Sequence, residues 1–409
     1  MSKRKKILIT IVLFLAIGIP ILYSAYDNTE IRFQIAKLIG LKSKPLSSQS
    51  DFSVQEFISG IPGPTTMAFV DDDILVLQKN DGKVRLIKDG VIQEKPVLDL
   101  NVNGKYESGL LGILALKSTV YLYLTESTQD GGQPIGDNIY RYTWNGQELV
   151  DPVLVNHFQV YDFSHHGGIM VTDSEDNIYI IRGDQRGDDY QKYGVLQNFG
   201  EGDVDDTGVI IRVGLNSSEP TPSLSSHPLD HYYAMGIRNS FGLAIDPVTG
   251  FMWDTENGDE GFDEINLVLP KFNSGWKKIM GPANETQVAS LPPLGFTYSD
   301  PEFSWENSVA PTAIAFVGSA LSEEYSDSVL VGDCRGNLYK FTLNATRTGF
   351  VFNDSNLQDL VANEGDSMID VIIAKNLGCI SDIKFGPDGT IYVTSYANNG
   401  AIFKITKSS

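Results

Sequence analysis

IKFGPDGTIYVTSYANNGAIFKI, residues 383–405, contains the repeating unit of the whole chain. An apolar strand runs into a Pro-Asp-Gly turn, a second apolar strand follows, and an Asn-Asn-Gly turn leads to a third. The alternation I-x-F and I-x-V is the two-residue period of a strand. The turns place Gly, Asn or Asp where a hairpin needs positive φ. Working back through the chain, the same phrase recurs from Met67, Ile113, Ile169, Leu243 and Ile314, at spacings of 46 to 74 residues. No long period of 3.6 residues interrupts it. Six copies predict an all-β, six-bladed β-propeller, in which radial repetition protects the sheet edges and an axial mouth collects loops from every blade. The segment near Phe52 to Ile58 is expected to complete the last blade. Two β-sandwiches are the competing architecture, but the phrase runs through both halves of the chain.

Composition narrows the function. The 409 residues carry a formal charge of −21, which argues against nucleic acid as a partner and against docking on anionic lipid. Two Cys exclude a four-cysteine metal site or a disulfide-stapled scaffold, and five His leave room for one small catalytic or metal constellation.

Residues 1–26 read as a basic tip, SKRKK at Ser2–Lys6, followed by an apolar run from Ile7 to Ala25. Nineteen such residues span about 28 Å as a helix, close to a bilayer core. The flank predicts a single membrane anchor with the N-terminus inside; the alternative is a cleaved signal peptide, and both export the remainder. Residues 27–50 form a polar linker, and 51–409 the propeller. Sequons at Asn216, Asn284, Asn344 and Asn353 fit an extracytoplasmic surface.

Three stretches could carry chemistry. In SHHGG, Ser164–Gly168, His165 precedes Asp184 by nineteen residues, and a hairpin would return the two to one rim. A carboxylate on one ring nitrogen fixes the tautomer for proton transfer by the other; a structural His capping a turn is the alternative. No G-x-S-x-G motif accompanies them. In GIRNSFGLAI, Arg238 and Asn239 stand where a loop enters an inner strand, so Arg238 can polarise a carbonyl or form an inter-blade ion pair. TENGDEGFDEIN, Thr255–Asn266, bends five acids around two glycines, as a Ca²⁺ loop or as a solvated acidic one.

In this order these pieces resemble the pyrroloquinoline quinone (PQQ)-dependent glucose/sorbosone dehydrogenases, which include the soluble quinoprotein glucose dehydrogenases and aldose sugar dehydrogenases. The resemblance spans about Phe52 to Ile405. It rests on YESGLLGILAL from Tyr106, HHGG with the Asp of RGDQ, YAMGIRNSFGLAIDPVTG from Tyr233, GDEGFDEINLV from Gly258, FNSGW from Phe272, WENSVAPTAIAF from Trp305 and DIKFGPDGTIYVTSYA from Asp382. It implies a six-bladed propeller that oxidises an aldose at C1, with PQQ as hydride acceptor and a further electron acceptor as partner. The family's catalytic base falls on His165, with His166 as fallback, its orienting carboxylate on Asp184, and its quinone contacts on Arg238 and Asn239. Further cofactor contacts fall on Glu107 and Ser308, and a structural Ca²⁺ on Glu264 and Ser274.

Departures from the family pattern cluster on one side of the site. Cys334 falls where a cofactor-holding Lys is expected, with Arg335 beside it, and Cys379 and Ser381 fall where two Arg are expected. PQQ carries three carboxylates, so these replacements deplete the charge complementarity. Ile169 stands where the family has another Arg. The two cysteines are expected to meet across the mouth of the propeller as a disulfide closing a 45-residue loop, with two free thiols or a soft-metal site with a His as alternatives. Two functions follow: a membrane-anchored, extracytoplasmic aldose dehydrogenase, or a tethered, non-enzymatic propeller that binds a ligand or protein.

Overall fold

Successive sheets pack through their first strands, and this packing organises the molecule. The computed structural model describes residues 45–48, 52–185, 197–200, 204–213, 228–318, 325–396 and 399–407. The segment expected to be an N-terminal anchor and most of the expected linker lie outside the described residues; among the described ones no helix is long and apolar enough to cross a membrane.

The described strands form six sheets in an all-β propeller fold. Pro64–Val70, Leu110–Leu116, Met170–Thr172, Ser240–Ile245, Pro311–Phe316 and Cys379–Phe385 each begin a sheet. Each packs against the next, and the last against the first. Hydroxyls link neighbours around this circuit. Thr66 Oγ1 donates to Leu111 O at 3.0 Å, and Ser381 Oγ to Pro64 O at 2.9 Å.

Apolar side chains fill the spaces between adjacent sheets. Trp253, Phe303 and Phe341 lie in one such cluster, and Leu77, Leu110 and Leu122 in another. Second strands are buried on both faces, as in Ser328–Asp333, which explains their unbroken apolar runs. The turn glycines do what the sequence asks of them: Gly82 and Gly389 sit at φ +65° and +77°. The sixth sheet is completed by the strand Phe52–Ile61, which pairs antiparallel with Gly400–Lys407, so the two ends of the propeller close on each other.

One polar network bridges the second and third sheets inside this apolar frame. Arg182 and Asp137 are fully buried and pair at 3.0 Å. Asp137 also accepts from Thr125 Oγ1 at 2.7 Å and Gln185 Nε2 at 2.7 Å, and contacts His166 Nδ1 at 3.1 Å. Arg182 reaches Tyr123 Oη and the Asp206 carbonyl. Burial alone would raise the Asp137 carboxyl, but His166 and Arg182 outweigh it and hold it well below the usual carboxylate range.

Arg182→Met leaves Asp137 buried without its guanidinium and is expected to cost about 3–5 kcal/mol in urea unfolding at pH 7. A carboxyl held low contributes its stability above the unfolded value and loses it as the pH falls through the folded one. The gap between wild type and variant should therefore shrink below about pH 4.

Candidate active site

The loop that hangs from this network enters the third sheet at Met170–Thr172, whose hairpin partner is Ile178–Arg182. That register returns Asp184 to the rim where His165 sits. His165 adopts φ +57°, a left-handed conformation that is uncommon for a residue with a side chain. Its backbone N–H donates to Glu107 Oε2 at 2.5 Å, which stabilises the bend. Gly183 makes the approach possible: a Cβ there would lie 2.4 Å from His165 O and 2.7 Å from Arg238 O.

His165 Nδ1 meets Asp184 Oδ1 at 2.6 Å, and the other oxygen of Asp184 accepts the indole N–H of Trp276 at 2.7 Å. Asp184 is fully buried. The carboxylate accepts the Nδ1–H hydrogen bond and so keeps the proton on Nδ1, which leaves the Nε2 lone pair to act on a ligand. His166, by contrast, lies inside the Asp137 network, with Nε2 facing the Asp162 carbonyl at 2.9 Å. Both ring nitrogens of His166, the fallback base, are engaged within this network.

Glu107 joins the His165 loop to the fourth sheet, since its Oε1 accepts from Asn239 Nδ2 at 3.4 Å. Arg238 donates through Nη1 to the carbonyls of Asn257 and Gly258, both at 3.0 Å, and through Nη2 to Asp259 at 2.9 Å. Its guanidinium lies 5.2 Å from the centre of the Trp276 ring. Two buried atoms here, Arg238 Nε and Asn239 Oδ1, have no hydrogen-bond partner among the described residues. Such orphaned polar atoms beside a His–Asp pair mark a place where a polar ligand completes the bonding.

A cavity of about 240 Å³ adjoins this constellation. Glu107, Tyr106, Gly167, Ile169, Phe241 and Ser381 line it, together with Lys79 and the two cysteines. Cys334 and Cys379 are joined as a disulfide with a sequence separation of 45, so the free-thiol and soft-metal alternatives fall away. Burial pushes the Lys79 ammonium down to about 8 against the pull of Glu107.

The family model for glucose/sorbosone dehydrogenase matches residues 61–404. The chain belongs to this family. It is 22% identical to the aldose sugar dehydrogenase YliI of Escherichia coli, over 91% of this chain and 98% of that one. It is 25% identical to quinoprotein glucose dehydrogenase B of Acinetobacter calcoaceticus, over 59% and 56% respectively. The PQQ-bound aldose sugar dehydrogenase of Streptomyces coelicolor shares its fold, with a TM-score of 0.65 at 19% identity, over 88% of this chain and 99% of that one.

Within this dehydrogenase fold the expected residues divide into two groups. His165, Asp184, Glu107, Arg238 and Asn239 come together. Ser308 and Arg335 stand apart from them: Ser308 Oγ donates to Asp263 at 2.8 Å, and the Arg335 guanidinium donates to the Ser308 carbonyl, while Glu107 is the member of the first group that itself lines the cavity. Asp263 also takes the backbone N–H groups of Val309 and Ala310, so this acid organises a turn.

Of the expected calcium residues, Glu264 lies on the buried strand Asp263–Val268, and Ser274 directly follows the short strand Phe272–Asn273. Glu264 pairs across the ladder with Glu256 and accepts from Gly281 N–H, while Ser274 Oγ donates to Glu256 at 2.5 Å. Burial pushes Glu256 up to about 7, and burial with Glu256 as neighbour raises Asp254 and Glu264 as well. Among the described residues neither carboxylate oxygen of Asp254 has a well-formed hydrogen bond, with Asn266 as its polar support. This excess of buried negative charge suits a cation. Among the described residues, however, no three acidic, His or Cys side chains converge as a metal cage, so main-chain oxygens would have to complete the ligands.

Sequence reading missed Lys79 and the role of Trp276. Lys79 sits in an ordinary hairpin turn and carries no motif. Trp276 closes FNSGW, but its hydrogen bond to Asp184 spans 92 residues.

Peptide mapping without reductant should return one cross-linked species containing Cys334 and Cys379 and no titratable thiol. Cys334→Ser is expected to lower stability by about 2–4 kcal/mol in denaturant unfolding.

Proposed function

We propose that the chain is an aldose sugar dehydrogenase that oxidises the C1 hydroxyl of a sugar to a lactone, with PQQ as its cofactor. The observation that carries the reading is the His165–Asp184–Trp276 chain of hydrogen bonds, which Glu107 ties to the cavity wall through the His165 backbone. When bound, PQQ supplies an electrophilic quinone that accepts the hydride from C1. His165 takes the C1 hydroxyl proton on Nε2 as that hydride leaves. Asp184 fixes the tautomer and stabilises the imidazolium, and Trp276 holds Asp184 in place. Glu107 keeps the His165 backbone in its left-handed bend. Arg238 and Asn239 would hold the quinone, a role supported by their unpartnered buried Nε and Oδ1.

Calcium at Glu264 and the Ser274 main chain belongs to the same reading. It is supported by the uncompensated carboxylates of Asp254, Glu256 and Glu264. The six sheets are read as the blades of one closed ring, and residues 7–25 as a membrane anchor that leaves the propeller outside the cytoplasm. The anchor is supported by the basic flank and the length of the apolar run.

A second reading, a tethered propeller that binds a ligand or protein without chemistry, is favoured by the cavity wall. Among the described residues its cationic lining is a single lysine, set beside a disulfide, which is poor provision for a tricarboxylate.

Reconstitution with PQQ and Ca²⁺ decides between the two. A shifted quinone absorbance and dye reduction with aldoses are expected, with a lower Tm when Ca²⁺ is omitted. A protein that leaves the quinone spectrum unchanged would be the non-enzymatic propeller. His165→Ala should lower kcat by at least about 10²-fold while PQQ still binds; near-normal turnover would remove His165 from the mechanism. Mass spectrometry of the native N-terminus should find residues 7–25 retained, and a start near residues 25–30 would instead identify a cleaved signal.

A further inference from the structure

Lys79 has no place in the mechanism above, yet among the described residues it is the only positively charged one lining the mouth cavity. We propose that Lys79 holds a carboxylate of the ligand bound in that cavity. The proposal rests on the quinoprotein reading and assigns that ligand's anionic edge to a residue of the first sheet.

The backbone of Lys79 is fixed. Its N–H donates to Gly63 O at 3.0 Å, and its carbonyl accepts from Leu110 N–H at 3.0 Å. Gly109 packs against it so closely that a Cβ there would lie 2.3 Å from the Lys79 carbonyl oxygen and 2.9 Å from its Cγ. The ammonium is therefore delivered by a rigid stem.

Its bonding is incomplete. Nζ donates to the Gly104 carbonyl at 2.9 Å and to Asn80 Oδ1 at 3.0 Å. Both acceptors are neutral. An ammonium has three N–H donors, and the third has no partner among the described residues. The residue is 6% exposed, and no carboxylate lies within ion-pair distance of its Nζ among the described residues. Glu107, the one acid lining the cavity, is already bonded to His165 N–H and Asn239. A buried charge without a counter-ion is costly, and a ligand carboxylate would supply the missing partner. The lowered value of the amine agrees with this, because desolvation without a bound anion is what lowers it.

The competing role is a structural staple, in which Lys79 only ties the Gly104 turn to the hairpin. The two roles separate by ligand charge. Binding of PQQ and of its uncharged trimethyl ester to the full chain, with Ca²⁺ present, is read from quenching of tryptophan fluorescence. Lys79→Gln removes the charge and keeps donors for Gly104 and Asn80. It should weaken PQQ by about tenfold or more and the ester by less than about twofold. Lys79→Arg should retain most of the PQQ affinity. Unfolding curves of each variant show whether it is folded; if Lys79→Gln is not, the comparison of wild type with Lys79→Arg across the two ligands and across salt takes its place. Equal losses for both ligands, or unchanged PQQ binding in Lys79→Gln, would overturn the carboxylate role. Failure of the wild type to bind either ligand would instead overturn the quinoprotein reading, and this proposal with it.

Discussion

A guanidinium and a carboxylate buried together, Arg182 and Asp137, set the geometry on which the site depends. Removing two charges from water is expensive, and their attraction repays it only if the remaining bonding capacity is also filled. Here it is filled from the loop that carries the candidate base. Arg182 Nη2 reaches the Gln159 carbonyl at 3.3 Å, His166 spans Asp137 and the Asp162 carbonyl, and Gln185 closes the carboxylate from the far side of the hairpin. Tyr123 Oη adds a bond to the His166 carbonyl. Adjacent histidines thus divide the work: one is consumed in holding the loop, and the other is oriented by Asp184 through Nδ1 alone.

Much of the architecture was legible because its signals are local. Each hairpin declares itself through alternation and a Gly-bearing turn, and six repetitions of one phrase leave few all-β alternatives. The His165–Asp184 pair was legible for the same reason, since a single hairpin carries both. What adjacency in sequence could not settle was which His pairs with which acid: Asp137 and Asp184 are both within reach of the HH dipeptide, and only the backbone turn at His165 separates the rings.

Long-range contacts hid the rest. Lys79 and Trp276 come from different sheets and meet the site only through packing between them. Arg335 stands next to Cys334, but its guanidinium donates to the Ser308 carbonyl and is absent from the cavity wall. Ser308 likewise lies in the expected loop and faces Asp263. The cysteines themselves were the better guide, because two positions assigned to one mouth must be near each other whatever chemistry they have abandoned.

The pairing of Phe52–Ile61 with Gly400–Lys407 sets the order in which the molecule can be made. Nearly the whole domain is synthesised between the two strands of that ladder. The strand made first must wait, as an open edge, for the strand made last. Local hairpins can form as they emerge, while the seam that unites them is a contact of very high sequence separation and correspondingly slow to form. Until it does, the nascent chain presents unpaired backbone that other chains can use. The vulnerable moment in the life of this protein is therefore the interval before its final strand arrives.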